Sequence, residues 1–531
     1  MRAEFHERRG ELDDLMAGDA RSGRQGLLAG AIAAIAALVA MIGLRAITGI
    51  VSLLDILADG LLLALPISLF SGMLDLFGKQ AKTLLLVGLM AFTVLVGAWA
   101  GRMMAKGTPA KAGPGLLWAR AISWSMGLFA VAATFAALYT LGRMPDVAAG
   151  LGVVRVVACI FGAMAVFAVV LGGILLVLRA ESASVPAEAE PQGAAFDRRR
   201  LLTRAGIGLA TLGGLAVLGR EVARIANRSV VVGGRRGTMP PAITPNEQFY
   251  LVSKNFVDPS PDRGADWSID ISGLVQHPLT LTAKDLEPLA GPVFVSTLTC
   301  ISNPVAGPLI GTAEWTGVPL ATVLKMAGVM NGAVKLVSEG EDGYADSIPI
   351  ERALSPEPHL VWTMNGDPLP PKHGSPVRLI VPGLYGIKNV KWLTRMTVTA
   401  DDYQGYWQQR GWTDTATIKT SSRIDVPGDH AVIDAGPTTI GGIAFAGDRG
   451  ITKVEVSTDG GASWQTATIG ENPSPQGLSW VLWTLPWSPA SGAYTLVVRA
   501  TDGTGALQTA ESAPELPDGA SGWHRITVGV A

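Results

Sequence analysis

Long apolar runs in the first 180 residues constrain the fold more than any other feature of this sequence. Charged residues make up only 16% of the chain and its mean hydropathy is +0.34, both unusual for a soluble protein. Four stretches have the length and apolarity of membrane-spanning helices, at about 27–44, 83–100, 119–141 and 156–178. We therefore predict an all-α transmembrane domain over residues 27–180, preceded by a tail at 1–26.

The segment 50–77 differs from these four stretches because it carries charge. Asp55 and Asp59 are four residues apart, Pro66 follows, and Asp75 comes near the end. Two carboxylates on one helical face, followed by a proline, favour two short amphipathic helices at the membrane interface. A full span is disfavoured because buried charge there is costly, and a proton path is the alternative role for the aspartates.

A second apolar segment follows a polar linker at 181–204. The linker ends in Asp197-Arg-Arg-Arg-Leu-Leu-Thr203, and we predict a transmembrane helix at 205–226. Paired arginines before a modest apolar stretch resemble a twin-arginine export signal. The alternative is an ordinary basic flank of a membrane span.

The export interpretation fixes a topology. If the arginines start on the cytoplasmic side and 50–77 is not a span, counting back through the four spans makes residues 1–26 a cytoplasmic tail and puts loop 101–120 on the same side. Counting 50–77 as a span would put residues 1–26 outside. Both segments carry Arg or Lys, as the positive-inside rule requires. We expect a multi-pass protein of the plasma membrane whose C-terminal part is extracytoplasmic.

Composition also excludes several classes of partner and cofactor. A formal net charge of −2 argues against a nucleic-acid partner. None of the six histidines lies in an apolar span, which excludes a bis-histidine haem within the membrane domain. Cys159 is alone in its span and cannot hold an iron–sulfur cluster. We expect no haem or iron–sulfur ligands in this chain.

Cys300 is the most informative single residue. A β-branched run, Val293-Phe-Val-Ser-Thr-Leu-Thr299, ends at this thiol, and Asn303-Pro304 then breaks the strand. The chain has only two cysteines, so Cys300 has no nearby partner. A lone thiol at a strand end is core filler, a nucleophile or a soft ligand for a transition metal.

The residues around Cys300 resemble the cofactor-ligand segment of the sulfite oxidase family of molybdenum enzymes. Further matches follow in order: Trp315-Thr-Gly-Val-Pro-Leu320, Asp342-Gly-Tyr-Ala-Asp-Ser-Ile-Pro349, Met364-Asn-Gly-Asp-Pro-Leu-Pro370, His373-Gly-Ser-Pro-Val-Arg378 and Val381–Leu393. The resemblance covers about 240–531. It implies an α+β molybdopterin-binding catalytic domain at 240–405, in which the Cys300 thiolate binds molybdenum.

The resemblance also implies which residues hold the molybdopterin. They are Asn255, Tyr344, Ser347, His373, Arg378, Gly386, Lys388 and Lys391. Lys388 stands where the family often has Arg, a change that keeps the charge but loses bidentate geometry. Gly386 allows close approach of the backbone.

Two departures from the family bear on the substrate. Ile301–Ala306 lacks the arginine that sulfite oxidases carry soon after the cysteine, and Lys254 and Asn255 stand near the family's Arg-Asn-His segment. A doubly charged anion needs several cationic donors, so sulfite is disfavoured and a small S- or N-oxide is favoured. We expect Lys254, with Tyr403 or Tyr406 at the pocket mouth, to contact the substrate.

Residues 413–531 contain short β-like runs separated by Asp-Gly turns, which predicts an all-β sandwich. This part resembles the immunoglobulin-like domain of the same family, where it often supports a homodimer. The whole chain is thus expected to be a membrane-anchored, extracytoplasmic molybdenum oxidoreductase that transfers oxygen atoms. Electrons would pass to a separate carrier, a quinone or a cytochrome. The alternative is a non-catalytic, membrane-tethered binding or assembly module.

Overall fold

A computed structural model describes residues 2–48, 52–64, 81–109, 112–143, 152–183, 198–228, 237–255, 258–259 and 267–531. The described residues fall into two compact units, the helices as far as Asn227 and the residues from Arg228 to Ala531. Each unit is built from its own elements, described in turn.

The first unit is entirely helical. Its helices are α1 (Arg2–Thr48), α2 (Leu53–Ala64), α3 (Ala81–Lys106), α4 (Pro114–Arg143), α5 (Gly152–Ala183) and α6 (Arg198–Arg228). Four of them contain stretches long and apolar enough to cross a membrane: Ser22–Arg45, Thr83–Lys106, Pro114–Leu138 and Val154–Leu178. The four predicted apolar helices are therefore confirmed, and they are consistent with a membrane protein.

Helices α1 and α3 approach closely because both present glycines at their contact. A Cβ atom built on Gly30 would lie 2.1 Å from the backbone oxygen of Gly97, and one on Gly26 would lie 2.4 Å from that of Gly101. Small residues four apart let helix backbones touch, as in closely packed membrane helices.

Helix α6 differs in its bounds from the segment predicted at 205–226. It begins at Arg198, so the arginines of the predicted linker lie in its first turn, and 184–197 fall outside the described residues. Its apolar part, Ala205–Arg220, is shorter than the 24 or 25 residues of the four candidate spans. Its crossing of a membrane stays a prediction.

The described part of segment 50–77 is α2, which starts next to a buried carboxylate. Asp55 accepts hydrogen bonds from the backbone nitrogen of Ser52 (2.9 Å) and its hydroxyl (2.6 Å), and it pairs with Arg45 at 3.1 Å. Asp55 is thus an N-terminal capping carboxylate with a cationic partner, rather than a group on a water-facing side of the helix. The Asp59 side chain, Pro66 and Asp75 lie outside the described residues.

The second unit begins with a mixed α+β part built on two sheets. Its strands are β1 (Ser268–Gly273), β2 (Leu279–Thr282), β3 (Phe294–Thr299), β4 (Ile310–Pro319), β5 (Lys335–Gly340), β6 (Ala345–Pro349), β7 (His359–Met364), β8 (Asp367–Pro368), β9 (Arg378–Ile380) and β10 (Leu393–Thr399). Short helices follow β2, β4 and β6: α7 (Ala283–Leu286), α8 (Leu320–Ala327) and α9 (Ile350–Ala353).

The two sheets share one core. The first has the order β2-β1-β10-β5-β6, with β1 parallel to β10, and the second has the order β3-β4-β7-β8, with β9 also on β7. Ile271 and Met396 of the first sheet pack in one buried cluster with Leu324 of α8 and with Leu360 and Leu379 of the second sheet. Burial of this apolar surface fixes where the strand ends meet.

The C-terminal part is all-β. Its strands are β11 (Ser421–Val426), β12 (Val432–Ile433), β13 (Thr438–Phe445), β14 (Ile451–Ser457), β15 (Gln465–Thr466), β16 (Thr468–Ile469), β17 (Val481–Trp487), β18 (Gly492–Asp502) and β19 (His524–Val530). They form two sheets, β11-β13-β17-β16 and β12-β19-β18-β14-β15. Ile440 and Trp483 of one sheet pack against Val456, Val498 and Val528 of the other, so a two-sheet architecture is confirmed.

The free edge of β3 is paired with the C-terminal part. The backbone nitrogen of Thr297 donates to the Leu478 oxygen at 3.0 Å, and the Trp480 nitrogen donates to the Thr297 hydroxyl at 2.8 Å. Arg423 also donates to the Gly307 oxygen at 2.9 Å. Strand β3, which leads to Cys300, is therefore hydrogen-bonded to β4 on one edge and to the C-terminal part on the other. The loop after Cys300 is hydrogen-bonded to the C-terminal part through Arg423.

Candidate cofactor and active site

Cys300 directly follows β3, as the sequence predicts. Its backbone nitrogen donates to the Leu309 oxygen at 3.0 Å, and the Asn303 nitrogen donates to the Cys300 oxygen at 3.1 Å. These bonds fix the thiol at the start of a tight turn. The side chain is 6% exposed, and its Sγ lies 3.0 Å from the Ser302 hydroxyl oxygen. Burial raises the pKa of the Cys300 thiol, against the opposing effect of Ser302.

The thiol lines a cleft with about 750 Å³ of empty space, counting the open solvent at its mouth. Seven of the predicted site residues line this cleft: Lys254, Cys300, Tyr344, His373, Arg378, Gly386 and Lys391. They come from segments far apart in the chain, so the fold itself brings them together.

Arg378, at the start of β9, supplies a buried cation. Its two terminal nitrogens donate to the backbone oxygens of His373 (2.9 Å) and Asn389 (3.2 Å). Its Nε is buried with no hydrogen-bond partner among the described residues. Burial lowers the pKa of Arg378 to about 10, yet the guanidinium remains charged at neutral pH. A buried donor without a partner is costly, so this site favours an added acceptor.

His373 is a neutral group in the cleft. Burial, followed by the nearby charge of Arg378, lowers the pKa of His373 to about 4. Its Nε2 lies 3.2 Å from the backbone oxygen of Asn246, which this nitrogen reaches by donating a proton. The imidazole therefore offers a hydrogen-bonding group rather than a charge at neutral pH.

Lys391 is a second cation that lines the cleft, and it is half-buried. Its Nζ donates to the Lys372 backbone oxygen at 3.3 Å and lies 4.0 Å from the Trp392 ring centroid. Burial lowers the pKa of Lys391 to about 8. Gly374 has a φ of +111°, and a Cβ atom there would lie 2.9 Å from that of Lys391. The glycine thus allows the turn after His373 to contact Lys391.

These residues fit a molybdopterin. Lys254, Lys372, Arg378 and Lys391 face the cleft, against the one lining carboxylate of the described residues, Asp342. A pterin phosphate needs fixed cations and N–H donors, and a thiolate is a soft ligand for molybdenum. At Gly386 a Cβ atom would lie 2.9 Å from the Tyr250 hydroxyl and 3.8 Å from the Cys300 Cα, so a side chain would take up space beside the thiol.

Five predicted residues do not line the cleft: Asn255, Ser347, Lys388, Tyr403 and Tyr406. Lys388 is buried behind it, where its Nζ bonds Asp346 (2.8 Å), the Ser347 backbone oxygen (2.9 Å) and Asp414 (2.9 Å). The Ser347 hydroxyl donates to the Tyr403 backbone oxygen at 2.9 Å. Lys388 therefore acts in a buried ion pair rather than as a cofactor contact, because all three of its donors are already used.

Asn255 and Tyr406 lie beside the cleft rather than in it. Asn255 donates to Asp342 at 2.8 Å and accepts from Lys254 at 2.7 Å. The Lys254 ammonium also donates to the Asp342 backbone oxygen at 2.7 Å and lies 5.7 Å from the Tyr406 ring centroid. These contacts fix Lys254 at the mouth of the cleft.

Sequence reasoning missed several lining residues: Phe249, Tyr250, Lys372, Asn389, Trp392 and Trp407. Tyr250 lies just before Lys254 in the sequence, and burial, followed by the Cys300 charge, raises the pKa of Tyr250 well above its usual value. Trp407 directly follows Tyr406. Lys372, Asn389, Trp392 and Trp407 each adjoin a predicted site residue, whereas Phe249 and Tyr250 lie four or five residues before Lys254. Proximity in sequence was the available signal.

Two family models match consecutive parts of the chain. The oxidoreductase molybdopterin binding domain matches residues 257–407, and the Mo-co oxidoreductase dimerisation domain matches residues 413–531. The second match fits the all-β part described above.

Known proteins similar to the chain include sulfite oxidase from Arabidopsis thaliana, 32% identical, with 45% of this chain and 72% of that protein covered. Human mitochondrial sulfite oxidase is 35% identical over 42% of this chain and 47% of that protein, so the chain spans about half the length of that relative. A crystal structure of the sulfane dehydrogenase SoxCD from Paracoccus pantotrophus is 26% identical, with a TM-score of 0.46, 52% of this chain and 76% of that chain covered. The chain belongs to the sulfite oxidase family of molybdopterin-dependent oxidoreductases.

Proposed function

We propose that this protein is a membrane-anchored, extracytoplasmic oxidoreductase that transfers an oxygen atom to or from a small molecule containing sulfur or nitrogen. The observation that supports it most is the buried Cys300 thiol in a cleft lined by cations. Membrane anchoring is supported by the four apolar helices, and the extracytoplasmic side by the twin-arginine-like motif and the positive-inside count.

Each lining residue has a role in this proposal. Molybdenum held by the pterin, when bound, supplies the oxygen-atom and two-electron chemistry. Cys300 would hold the metal through its thiolate, and Arg378, His373 and Lys391 would bind the pterin and its phosphate. Tyr344 would contact the pterin, as the family resemblance implies, and Lys254 would contact the substrate. These side chains bind and orient, because the cleft walls fix them before the substrate arrives.

The charge at the mouth of the cleft favours a substrate less charged than sulfite. Lys254 lies 3.9 Å from an Asp342 carboxylate oxygen, which offsets part of its charge. Ile301–Ala306, directly after the thiol, contain no cation. A sulfoxide or an N-oxide needs only one or two donors. Relatives named as sulfite oxidases and as an inducible nitrate reductase support a sulfur or nitrogen centre.

The partners follow from the same chemistry. Oxygen-atom transfer moves two electrons, and we propose that a separate carrier, a quinone or a cytochrome, exchanges them. The match of residues 413–531 to a dimerisation domain supports a homodimer. Membrane lipid would surround the apolar helices.

The test is a substrate screen on the purified full-length protein with an artificial redox dye, run in both directions and paired with molybdenum analysis. Stoichiometric molybdenum and turnover of an S- or N-oxide, lost in Cys300→Ala, would support the proposal. Protein that contains no molybdenum and turns over no substrate would instead support the non-catalytic module.

A further inference from the structure

Tyr344 reaches the cleft from the turn before β6, and its hydroxyl has two acceptors. The phenol oxygen lies 2.6 Å from the Ile387 backbone oxygen and 3.0 Å from Oδ2 of Asp346. A phenol has one proton to donate. The hydroxyl is therefore held between a carbonyl and a carboxyl group, which together fix both the ring and the direction of its O–H bond.

Asp346 is itself held in place by charge. Its side chain is 1% exposed, and its Oδ1 accepts from Lys388 at 2.8 Å and from the Ser347 backbone nitrogen at 2.7 Å. The Oδ2 is left for Tyr344. A buried carboxylate needs a cationic partner and further hydrogen bonds, and this one has both.

The ion pair between Asp346 and Lys388 is part of a larger group of charged side chains. Lys388, also 1% exposed, bonds Asp414, and Asp414 in turn accepts from Lys335 at 2.7 Å. Lys335 also pairs with the more exposed Asp402 at 2.5 Å, so two cations face three carboxylates in this group. The three donors of Lys388 bond Asp346, the Ser347 backbone oxygen and Asp414. Among the described residues of this group, Asp346 is the one that bonds a residue lining the cleft, Tyr344.

We propose that Asp346, neutralised by Lys388, is a positioning residue that fixes the hydroxyl of Tyr344 on the wall of the cleft. This inference rests on the proposed function, in which Tyr344 contacts the pterin. Asp346 and Tyr344 are two residues apart, so an extended chain presents both on one side of β6. Misplacing a contact group by about 1 Å can cost up to about 100-fold in rate.

The electrostatics around Tyr344 agree with this arrangement. Burial, followed by the Asp346 charge and hydrogen bond, raises the pKa of Tyr344 well above its ordinary value, with smaller effects from Asp342 and Cys300. The phenol therefore stays protonated at neutral pH. Because its one proton is donated to Ile387 or Asp346, the hydroxyl offers the cleft an acceptor lone pair, which suits an N–H donor of the pterin.

A double-mutant cycle on the full-length, molybdenum-loaded protein tests the proposal. Asp346→Leu/Lys388→Met removes both buried charges together, because removing one alone leaves the other uncompensated. We expect it to lower kcat about 10- to 100-fold, with little further loss in the Tyr344→Phe background. An equal loss in both backgrounds overturns the proposal. Glu339→Gln/Arg395→Met, an exposed pair 3.4 Å apart on the same sheet, is the control and should keep wild-type kcat.

A second readout does not depend on turnover. Ultraviolet titration of tyrosinate in molybdenum-free protein identifies Tyr344 as the transition missing in Tyr344→Phe. Asp346→Asn keeps the size of the side chain but removes its charge, so the Tyr344 transition should move to lower pH. An unchanged transition contradicts the proposal. If the wild type turns over no substrate, the proposed function fails, and this titration still decides the role of Asp346.

Discussion

At the scale of single residues, the cleft is dominated by buried ionisable groups placed before any cofactor arrives. Cys300 and Arg378 are buried and Lys391 is half-buried, and burial shifts the pKa of each towards its neutral form. Such shifts concentrate at functional sites. They mean that an anionic, phosphate-bearing ligand would be bound by cations that water solvates only poorly.

The burial of the Lys391 ammonium should make the stability of the protein depend on pH. The pKa of Lys391 falls from 10.5 in the unfolded chain to about 8 in the folded protein. Between these values the unfolded chain binds more protons, so the stability of the molybdenum-free protein should rise as pH increases from about 8 to about 10. Lys391→Met should be more stable at pH 7 and lack that rise. Thermal unfolding of both proteins across this range checks it, and parallel pH curves would contradict it.

Single residues also show what the sequence could and could not predict about the site. Cys300, His373, Arg378 and Lys391 lie in motifs, and the fold brings all four to one cleft. Lys388 also lies in a motif, but its partner Asp346 is 42 residues away. Its side chain bonds Asp346 behind the cleft because of tertiary packing, which the motif does not reveal. A motif identifies a residue, whereas the direction of its side chain depends on partners distant in sequence.

At the scale of elements, β3 links the thiol to the C-terminal part. The Thr297 hydroxyl accepts from the Trp480 nitrogen and contacts the Thr312 hydroxyl. Thr297→Val should destabilise the protein by about 1–3 kcal/mol, the usual cost of an unsatisfied buried donor. The control is Thr363→Val, because the Thr363 hydroxyl is buried with no hydrogen-bond partner in the part of the chain that the structure describes. Equal unfolding midpoints for the two variants would show that this link contributes nothing.

The close glycine contact between α1 and α3 predicts that a larger side chain there destabilises the packing of the two helices. Gly30→Leu places a side chain against the Gly97 backbone oxygen, which is 2.1 Å from the position of its Cβ. The helices must then separate, and we expect the purified protein in detergent to aggregate at a lower temperature. Gly88→Leu on α3 is the control, since nothing lies within 4 Å of a Cβ atom there. A similar fall in aggregation temperature in both variants would argue against a stabilising contact at Gly30.

Elements were predicted best where hydropathy alone defines them. The four apolar helices follow from length and composition, and their apolar stretches lie within about six residues of the predicted bounds. The start of α6 at Arg198 could not be predicted in this way, because charged residues at a helix start leave no hydropathy signal. The pairing of Thr297 with Leu478 and Trp480 spans about 180 residues and has no local pattern at all.

At the scale of the whole molecule, the main prediction is that residues 240–531 lie on the extracytoplasmic side of the membrane. If Arg198 and Arg199 form an export signal, Arg198→Lys/Arg199→Lys should block translocation of residues 240–531 while keeping the charge. The catalytic part should then resist external protease in intact spheroplasts, whereas in the wild type it should be cleaved. As the control, Arg220→Lys/Arg224→Lys lies beyond the motif and should leave translocation unchanged. Wild-type cleavage in the Arg198 and Arg199 variant would contradict a twin-arginine signal.

The central claim is that the Cys300 sulfur binds molybdenum in the cleft. X-ray absorption at the molybdenum edge of the full-length protein tests it most directly, with Cys300→Ala as the comparison. We predict a sulfur shell around molybdenum in the wild type that loses one sulfur in Cys300→Ala, while the unfolding temperature changes little. The same sulfur shell in both proteins, or no molybdenum in the wild type, would contradict the account.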